Sequence, residues 1–434
     1  MREGIGLVTC LSLVTATMVG TGVYTSLGFQ LVDLKSGFSI LSLWALGGLI
    51  SLSGALSYAE LAGRIPRSGG EYTYFSEIYH PALGFMAAFV SILAGFSAPI
   101  ALTAIAFGTY FHAAVPMFPE RASSFLVVIL ISLGHLRSLR LSEVVQNGTA
   151  AVKFFLLELF LLVGIWCAVR HPISLRIFMP TVESVGELLH PTSGIALLFV
   201  LYAYSGWNAS TYLAGEVRDC QRTVGRSLVL GTALVTLLYL LLNAVFLTAA
   251  PASEMRGVLN VGSVAATYLL GQAGGQVMSG MIGIGLLASI SAMVWAGPRV
   301  TQRVAEDYNL FHCIARTGAG SVPVRATLLQ LLLVLILIAT GSFESVLVYA
   351  QVPLLLCLTL GVAGIMVLRK RCGLPAGFRC PLYPLPPLLF IFCTLAGLLY
   401  SSFSKPWIAL AGLGTMIIPL VVHSWIASRN SPSS

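Results

Sequence analysis

From Leu7 to Gln30 the chain carries no charged residue. A helix needs about 20 mostly apolar residues to cross the hydrocarbon core of a bilayer, and this stretch is long enough to do so. Similar runs recur along the whole sequence, about twelve in all: approximately 5–31, 38–62, 80–111, 123–136, 144–169, 192–215, 224–249, 275–298, 324–340, 344–368, 385–403 and 406–427. Charged residues make up 9% of the chain and hydrophobic ones 57%, whereas a soluble domain carries about a quarter charged residues. In water such a chain would expose enough apolar surface to aggregate; in lipid the same surface is solvated. The pattern predicts an all-α, polytopic membrane protein with one transmembrane domain over 1–434. The loops around 170–191, 251–274 and 299–323 are too short to hold a separate domain.

The formal charge of +8 might suggest a nucleic-acid surface, but the basic residues sit in short loops between apolar runs. Arg64 with Arg67, Arg137 with Arg140, Arg218 to Arg226, Arg299 to Arg325 and Arg369 to Arg379 alternate onto one side. The other side holds only Lys35, Arg121, Arg170, Arg176, Arg256 and Lys405. By the positive-inside rule both termini are expected in the cytoplasm, with the chain in the cell membrane. Leu7–Gln30 is too long for the core of a cleaved signal. The eight cysteines are scattered without CxxC or Cys/His spacing, so neither a disulfide framework nor a metal site is indicated, and no cofactor is implied. The histidines fall at span ends or in loops, and no HExxH or GxSxG motif occurs, which argues against an intramembrane enzyme.

The first and sixth spans share an anomaly. One reads Thr17-Met18-Val19-Gly20-Thr21-Gly22-Val23-Tyr24, the other Leu201-Tyr202-Ala203-Tyr204-Ser205-Gly206-Trp207-Asn208. Glycine and small hydroxyl residues stand at mid-depth, where glycine is costly in a helix interior. Small residues also let helices pack closely, but a matched pair of Gly-interrupted spans in two halves marks a transporter's binding site. The two spans lie five apart, so if spans 1–5 and 6–10 are related by inversion these are equivalent positions. If the first span unwinds at Gly20–Gly22, the amides of Thr21 and Gly22 meet an anionic carboxylate at the start of the next half-helix. Carbonyls freed at Met18, Tyr202 and Ser205 then accept from an ammonium group. Unpaired backbone at this depth is tolerated where it lines a polar cavity, and a zwitterion satisfies both sets.

At these residues the chain resembles the amino acid–polyamine–organocation superfamily, most closely its L-type amino acid transporter branch. Val19 to Tyr24 and Ala203 to Asn208 look like that branch's first- and sixth-helix signatures. Arg64-Ile65-Pro66-Arg67-Ser68-Gly69-Gly70-Glu71-Tyr72 resembles the connection from the second helix to the third. Val145-Gln146-Asn147 through Lys153 resembles the start of the fifth, and Ala296-Gly297-Pro298-Arg299-Val300 the end of the eighth. The resemblance implies a 5+5 inverted repeat with broken helices 1 and 6, with halves at about 5–169 and 192–369 and two additional helices at about 385–427, and sodium-independent uptake or exchange of L-amino acids by alternating access. It implies substrate contacts at Met18, Gly20, Thr21, Gly22, Tyr202, Ser205 and Gly206, with Tyr202 and Asn208 as gating residues. A proton-coupled symporter and a non-transporting sensor on the same fold stand as alternatives. Ser205 replaces the glycine usual in transporters of large neutral amino acids, which points to small or medium neutral substrates. Residues 112–124 contain no cysteine, so a disulfide-linked ancillary subunit is not expected.

Lys153 lies inside the fifth predicted span, where an ionisable group is a functional candidate. Its ammonium either snorkels to the interface, carries a coupled proton, or, as the resemblance implies, takes the place of a bound sodium ion. Glu158 does not share its face, since five residues turn a helix by roughly 140°; it either pairs with a residue on another span, takes part in proton movement, or is protonated and structural, the last being the reading ranked first. Arg67, Glu216 and Arg299, with Glu71 and Asp219 nearby, are candidates for an inner gate made of ion pairs.

Overall fold

The first predicted span is two helices rather than one: α1 (Leu7–Met18) and α2 (Gly22–Asp33), parted by Val19, Gly20 and Thr21. This computed structural model describes residues 5–137, 155, 157–166, 175–307, 323–375 and 377–430. After α3 (Gly37–Arg64), a short α4 (Glu71–Ile78) leads into a third span made of α5 (Pro81–Val90), a π-helical turn (Ser91–Ser97) and α6 (Ala98–Ala114). Then follow α7 (Glu120–Arg137), α8 (Leu157–Trp166) and α9 (Val182–Leu189). The sixth span is α10 (Ser193–Ala203) with a 3-10 segment (Ala209–Glu216) beyond a break. The rest comprises α11 (Cys220–Ala249), the single turn α12 (Ala252–Met255), α13 (Val261–Asp307), α14 (Val324–Thr340), α15 (Phe343–Cys372), α16 (Leu385–Ser404) and α17 (Pro406–Asn430).

Every predicted run contains a described helix. Among the described residues, 8 helices are long and apolar enough to cross a membrane; α9 and α10 add a ninth span if that pair, bent by 77°, counts as one. α8 and α14 are shorter apolar helices. Two elements were hidden in what reads as loop. α9 occupies the connection before α10, and α13 is two helices that meet at a kink at Gly271, where φ is 78°, the first of them lying in the expected loop from Val261 onward. Among the described residues the only strand-like pairing is an isolated parallel bridge between Ile5 and Val217.

The core is organised around α3 packed lengthwise on α11, with α1 on α11 and α10 on α2. Trp44, Tyr204 and Tyr239 are fully buried there and pack edge-on or tilted, Trp44 lying 5.4 Å from Tyr239 and Tyr239 lying 5.1 Å from Tyr204. Such pairs are favourable because ring edges meet ring faces. The far end of α3 is fixed by charge. Glu60, 0% exposed, accepts from Arg64 at 3.1 Å, from Arg369 of α15 at 2.9 Å and from the amide of Cys380 at 2.8 Å. Arg369 also lies 3.8 Å over the ring of Tyr383. A buried carboxylate is tolerated when its lone pairs are matched in this way. The network joins α3 and α15 to the loop that leads into α16.

Candidate substrate site

The two breaks meet. Gly22, the first residue of α2, lies so close to α10 that a Cβ there would fall 2.4 Å from the Cα of Ala203. Gly206 takes φ +94°, a conformation that favours glycine, and its carbonyl accepts from Thr17 Oγ1 at 3.1 Å. The hydroxyls of Thr21 and Tyr202 share a 2.7 Å hydrogen bond. Sequence positions far apart thus form one site because each break supplies small residues where the other approaches.

Broken helices leave end groups without intrahelical partners. The first amides of α2, beginning at Gly22, point from the positive end of a helix dipole. Opposite them lie the terminal carbonyls of α1 and α10. The phenol of Tyr239 donates to Met18 O at 2.6 Å and lies 3.0 Å from Ala203 O. Met18 O keeps a second lone pair. The Tyr202 carbonyl accepts from the amide of Ser205 at 3.0 Å. Met18, Thr21, Gly22, Tyr202 and Asn208 are buried, whereas Gly20, Ser205 and Gly206 are half-buried and Thr17 is exposed. Nothing but Met18 O, at 3.9 Å, comes near a Cβ built on Gly20.

One side of the break is covered by rings. Phe29 of α2 stacks on Phe199 of α10 at 4.8 Å and on Phe343 of α15 at 5.7 Å, and Phe343 meets the ring of Tyr202 edge-on at 6.4 Å. Above this layer opens a hollow of about 390 Å³, lined by Phe29, Phe343, Glu120 and Glu344 among others. The side that carries the amino-terminal segment is closed by polar contacts. Asn208 Nδ2 donates to Glu71 Oε1 at 2.6 Å and Tyr212 OH donates to Glu71 Oε2 at 2.7 Å, with Glu71 only 4% exposed. The loop before α4 docks here too, Gly69 N donating to Tyr212 O and Gly215 N to Ser68 Oγ. Ile5 N donates to Glu216 O, and Arg218 N to Ile5 O.

The predicted inner-gate residues are distributed differently from the predicted substrate contacts. Arg67 pairs with Glu77 at 2.6 Å. Arg299 lies 4.1 Å over the ring of Trp295 and donates to that residue's carbonyl. The Glu216 side chain is exposed, and its backbone carbonyl makes the contact to Ile5. Lys153 lies outside the described residues, and Glu158 is exposed. Sequence reasoning missed Tyr239, Tyr212 and the three phenylalanines of the lid. Tyr239 left a faint signal as a phenol alone in the run Leu237-Leu238-Tyr239-Leu240-Leu241-Leu242; the phenylalanines resemble any other apolar residue.

Among the described residues no group of three or more His, Cys, Asp or Glu is arranged to hold a metal ion. What the two breaks bring together is backbone ends, hydroxyls and rings, a set of donors and acceptors whose chemistry suits a small zwitterion.

Comparison with known proteins agrees with this chemistry. The amino acid permease family matches residues 5–424. A serine/threonine exchanger of Bacillus subtilis is 27% identical over 406 residues, covering 90% of this chain and 89% of that protein. The large neutral amino acids transporter small subunit 2 of Mus musculus is 25% identical, covering 98% and 81%. The human (Homo sapiens) cystine/glutamate transporter is 26% identical, covering 96% and 83%. A match over nearly the whole length, on a helical bundle with two breaks facing each other, makes this multi-pass membrane protein a member of the amino acid permease family.

Proposed function

We propose that this chain is a sodium-independent exchanger of neutral L-amino acids of small to medium size, working by alternating access in the cell membrane with both termini in the cytoplasm. The observation that carries the reading is the meeting of the two breaks, where helix-start amides face helix-end carbonyls across Gly22 and Ala203. The substrate carboxylate binds the amides of Thr21 and Gly22, and its ammonium binds the carbonyls of Met18, Tyr202 and Ser205. Gly20 and Gly206 keep the backbone bare at the point of contact. The relatives compared above are all amino-acid carriers by name, which supports the same cargo class here.

Alternating access needs one closure on each side. Tyr202 with Phe29, Phe199 and Phe343 forms the outer one. Asn208, held with Tyr212 on Glu71, forms the inner one, and Arg67, Glu216 and Arg299 take part as the bundle opens. Lys153 supplies the fixed cation that replaces sodium. The inverted halves, about 5–169 and 192–369, rock against each other, and 385–427 adds to the scaffold. No disulfide-linked ancillary subunit is required, since the segment between the third and fourth spans lacks a cysteine.

The test is radiolabelled amino-acid uptake into proteoliposomes, preloaded or empty, with and without sodium and a pH gradient. Uptake that needs internal amino acid and ignores both gradients supports exchange. Uptake into empty vesicles driven by protons replaces that reading with symport, and absence of any amino-acid flux from folded protein removes it.

A further inference from the structure

From Ser345 to Ser434 the chain contains no acidic residue, yet Arg369, Lys370, Arg371 and Arg379 stand close together within it. They lie at the end of α15 and in the loop that leads into α16. The two ends of α15 therefore differ. At its start, Glu344 forms an ion pair with Lys405. At its far end the acid is Glu60, which is buried and already matched by Arg64, Arg369 and the amide of Cys380.

The remaining basic groups there keep their charge unmatched. Lys370 is exposed and has no ion pair among the described residues. Arg371 and Arg379, also exposed, donate only to backbone, to Ile78 O at 2.7 Å and to Pro375 O at 3.3 Å. The start of α11 lies alongside. A Cβ on Gly377 would fall 2.8 Å from Oε1 of Gln221, and one on Gly225 would fall 3.8 Å from the ring of Phe378. Arg222 and Arg226 are each one residue farther on, 100° around the helix, and both are exposed. Arg222 has Asp219 at 4.0 Å; Arg226 has no acid partner among the described residues.

Among these charges three leucines stand in the open: Leu374 is 65% exposed, Leu382 81% and Leu385 67%. Topology asks only that basic residues gather on one side, and does not account for leucines set between them. A surface that pairs unmatched basic groups with exposed apolar side chains fits the boundary of headgroups and acyl chains.

We propose that the end of α15, the loop into α16 and the first turns of α11 form a docking site for anionic phospholipid. Lys370, Arg371, Arg379 and Arg226 hold the phosphate, and the acyl chains lie over Leu374, Leu382 and Leu385. Each Lys or Arg facing an anionic headgroup contributes about fivefold in affinity. The loop also gives the Cys380 amide to Glu60, so lipid bound here steadies the junction of α3 with α15. The site is independent of which cargo the protein carries.

The experiment titrates the full chain in neutral detergent with phosphatidylglycerol or with phosphatidylcholine of the same acyl chains, following the melting temperature. Phosphatidylglycerol is expected to raise it well above the phosphatidylcholine value, and the difference should shrink in high salt. The double variant Lys370→Gln with Arg379→Gln removes two charges from exposed positions. It should weaken the apparent affinity for phosphatidylglycerol roughly 25-fold and leave the lipid-free melting temperature unchanged. Equal shifts with the two lipids overturn the proposal, as does a variant that answers phosphatidylglycerol like the wild type. Glycerol 3-phosphate carries the charge without the chains; if it reproduces the shift, the site takes a soluble phosphate and the lipid assignment falls. If the variant melts lower without lipid, native mass spectrometry of bound phosphatidylglycerol decides: fewer lipids than on the wild type support the site, and an equal number overturns it.

Discussion

The hydroxyl of Tyr239 spans the carbonyl of Met18 at 2.6 Å and that of Ala203 at 3.0 Å, tying the end of α1 to the end of α10 through a third helix. A phenol has one proton, so the two carbonyls share it. Tyr239→Phe removes that donor from a fully buried position and is expected to cost about 1–3 kcal/mol of stability. Exchange should fall at least in proportion to the lost alignment of the breaks. Thermal melts in detergent and uptake measurements check both, and a variant as stable and as active as wild type contradicts the bridging role.

Gly22 and Gly20 are expected to respond differently to the same change. Gly22→Ala drives a methyl against the Ala203 backbone, where the built Cβ is 2.4 Å from Cα. Overpacking of this kind costs roughly 1–3 kcal/mol. Gly20→Ala meets nothing closer than 3.9 Å and should melt near the wild-type temperature. Melting curves that rank the two variants in the opposite order would refute the close approach.

Removing one arm of the Glu71 latch should be felt by the other. Asn208→Ala and Tyr212→Phe each take one donor from the buried Glu71 carboxylate and are expected to cost about 1–3 kcal/mol apiece. In the double variant the costs should fail to add by about 0.5–3 kcal/mol, because both donors serve the same carboxylate. A double-mutant cycle read by denaturation tests this, and strict additivity would show that the two contacts act independently.

Arg369→Ala leaves Glu60, 0% exposed, with fewer positive partners, and breaking a buried pair from one side costs about 3–5 kcal/mol. Glu60→Gln removes the charge itself and should be milder in the same melts. Equal effects would mean that the network acts by packing alone.

Cys380 and Cys372 provide a chemical check on the same region. Burial, reinforced by the nearby Glu60 carboxylate, pushes the Cys380 thiol up to about 11, so near neutral pH roughly one thiol in 10⁴ is ionised, and thiolate is the reactive form. Cys372 is exposed. Maleimide at pH 7, read peptide by peptide in a mass spectrometer, should modify Cys372 and spare Cys380 until the protein is unfolded. Rapid labelling of Cys380 at pH 7 would show that this loop is not docked on α3.

The breaks were legible in the sequence because glycine at mid-depth violates helix propensity, a local property that needs no partner to be noticed. Gly20, Gly22 and Gly206 announced themselves in this way, and the apolar runs announced the spans. Tyr239, Phe343 and Glu60 did not, since their roles depend on contacts with residues far away in the chain. A phenylalanine that faces lipid and one that caps a site look alike as letters. The charged residues were harder still. Long charged side chains settle on whichever counter-charge or carbonyl their backbone brings near, so Arg67 found Glu77, and Arg299 the ring and carbonyl of Trp295. α9 was missed because an eight-residue amphipathic helix carries too little periodicity to stand out from a loop.

The pairing of Ile5 with Glu216 and Arg218 makes the amino-terminal end a mechanical part of the sixth span. Any displacement of α1 away from α11 must pull on the 3-10 segment or break two backbone hydrogen bonds. A donor–acceptor dye pair placed across that bridge would therefore serve as a ruler for the transport cycle. A bulky fusion ahead of Ile5 would load the hinge it was meant to report on.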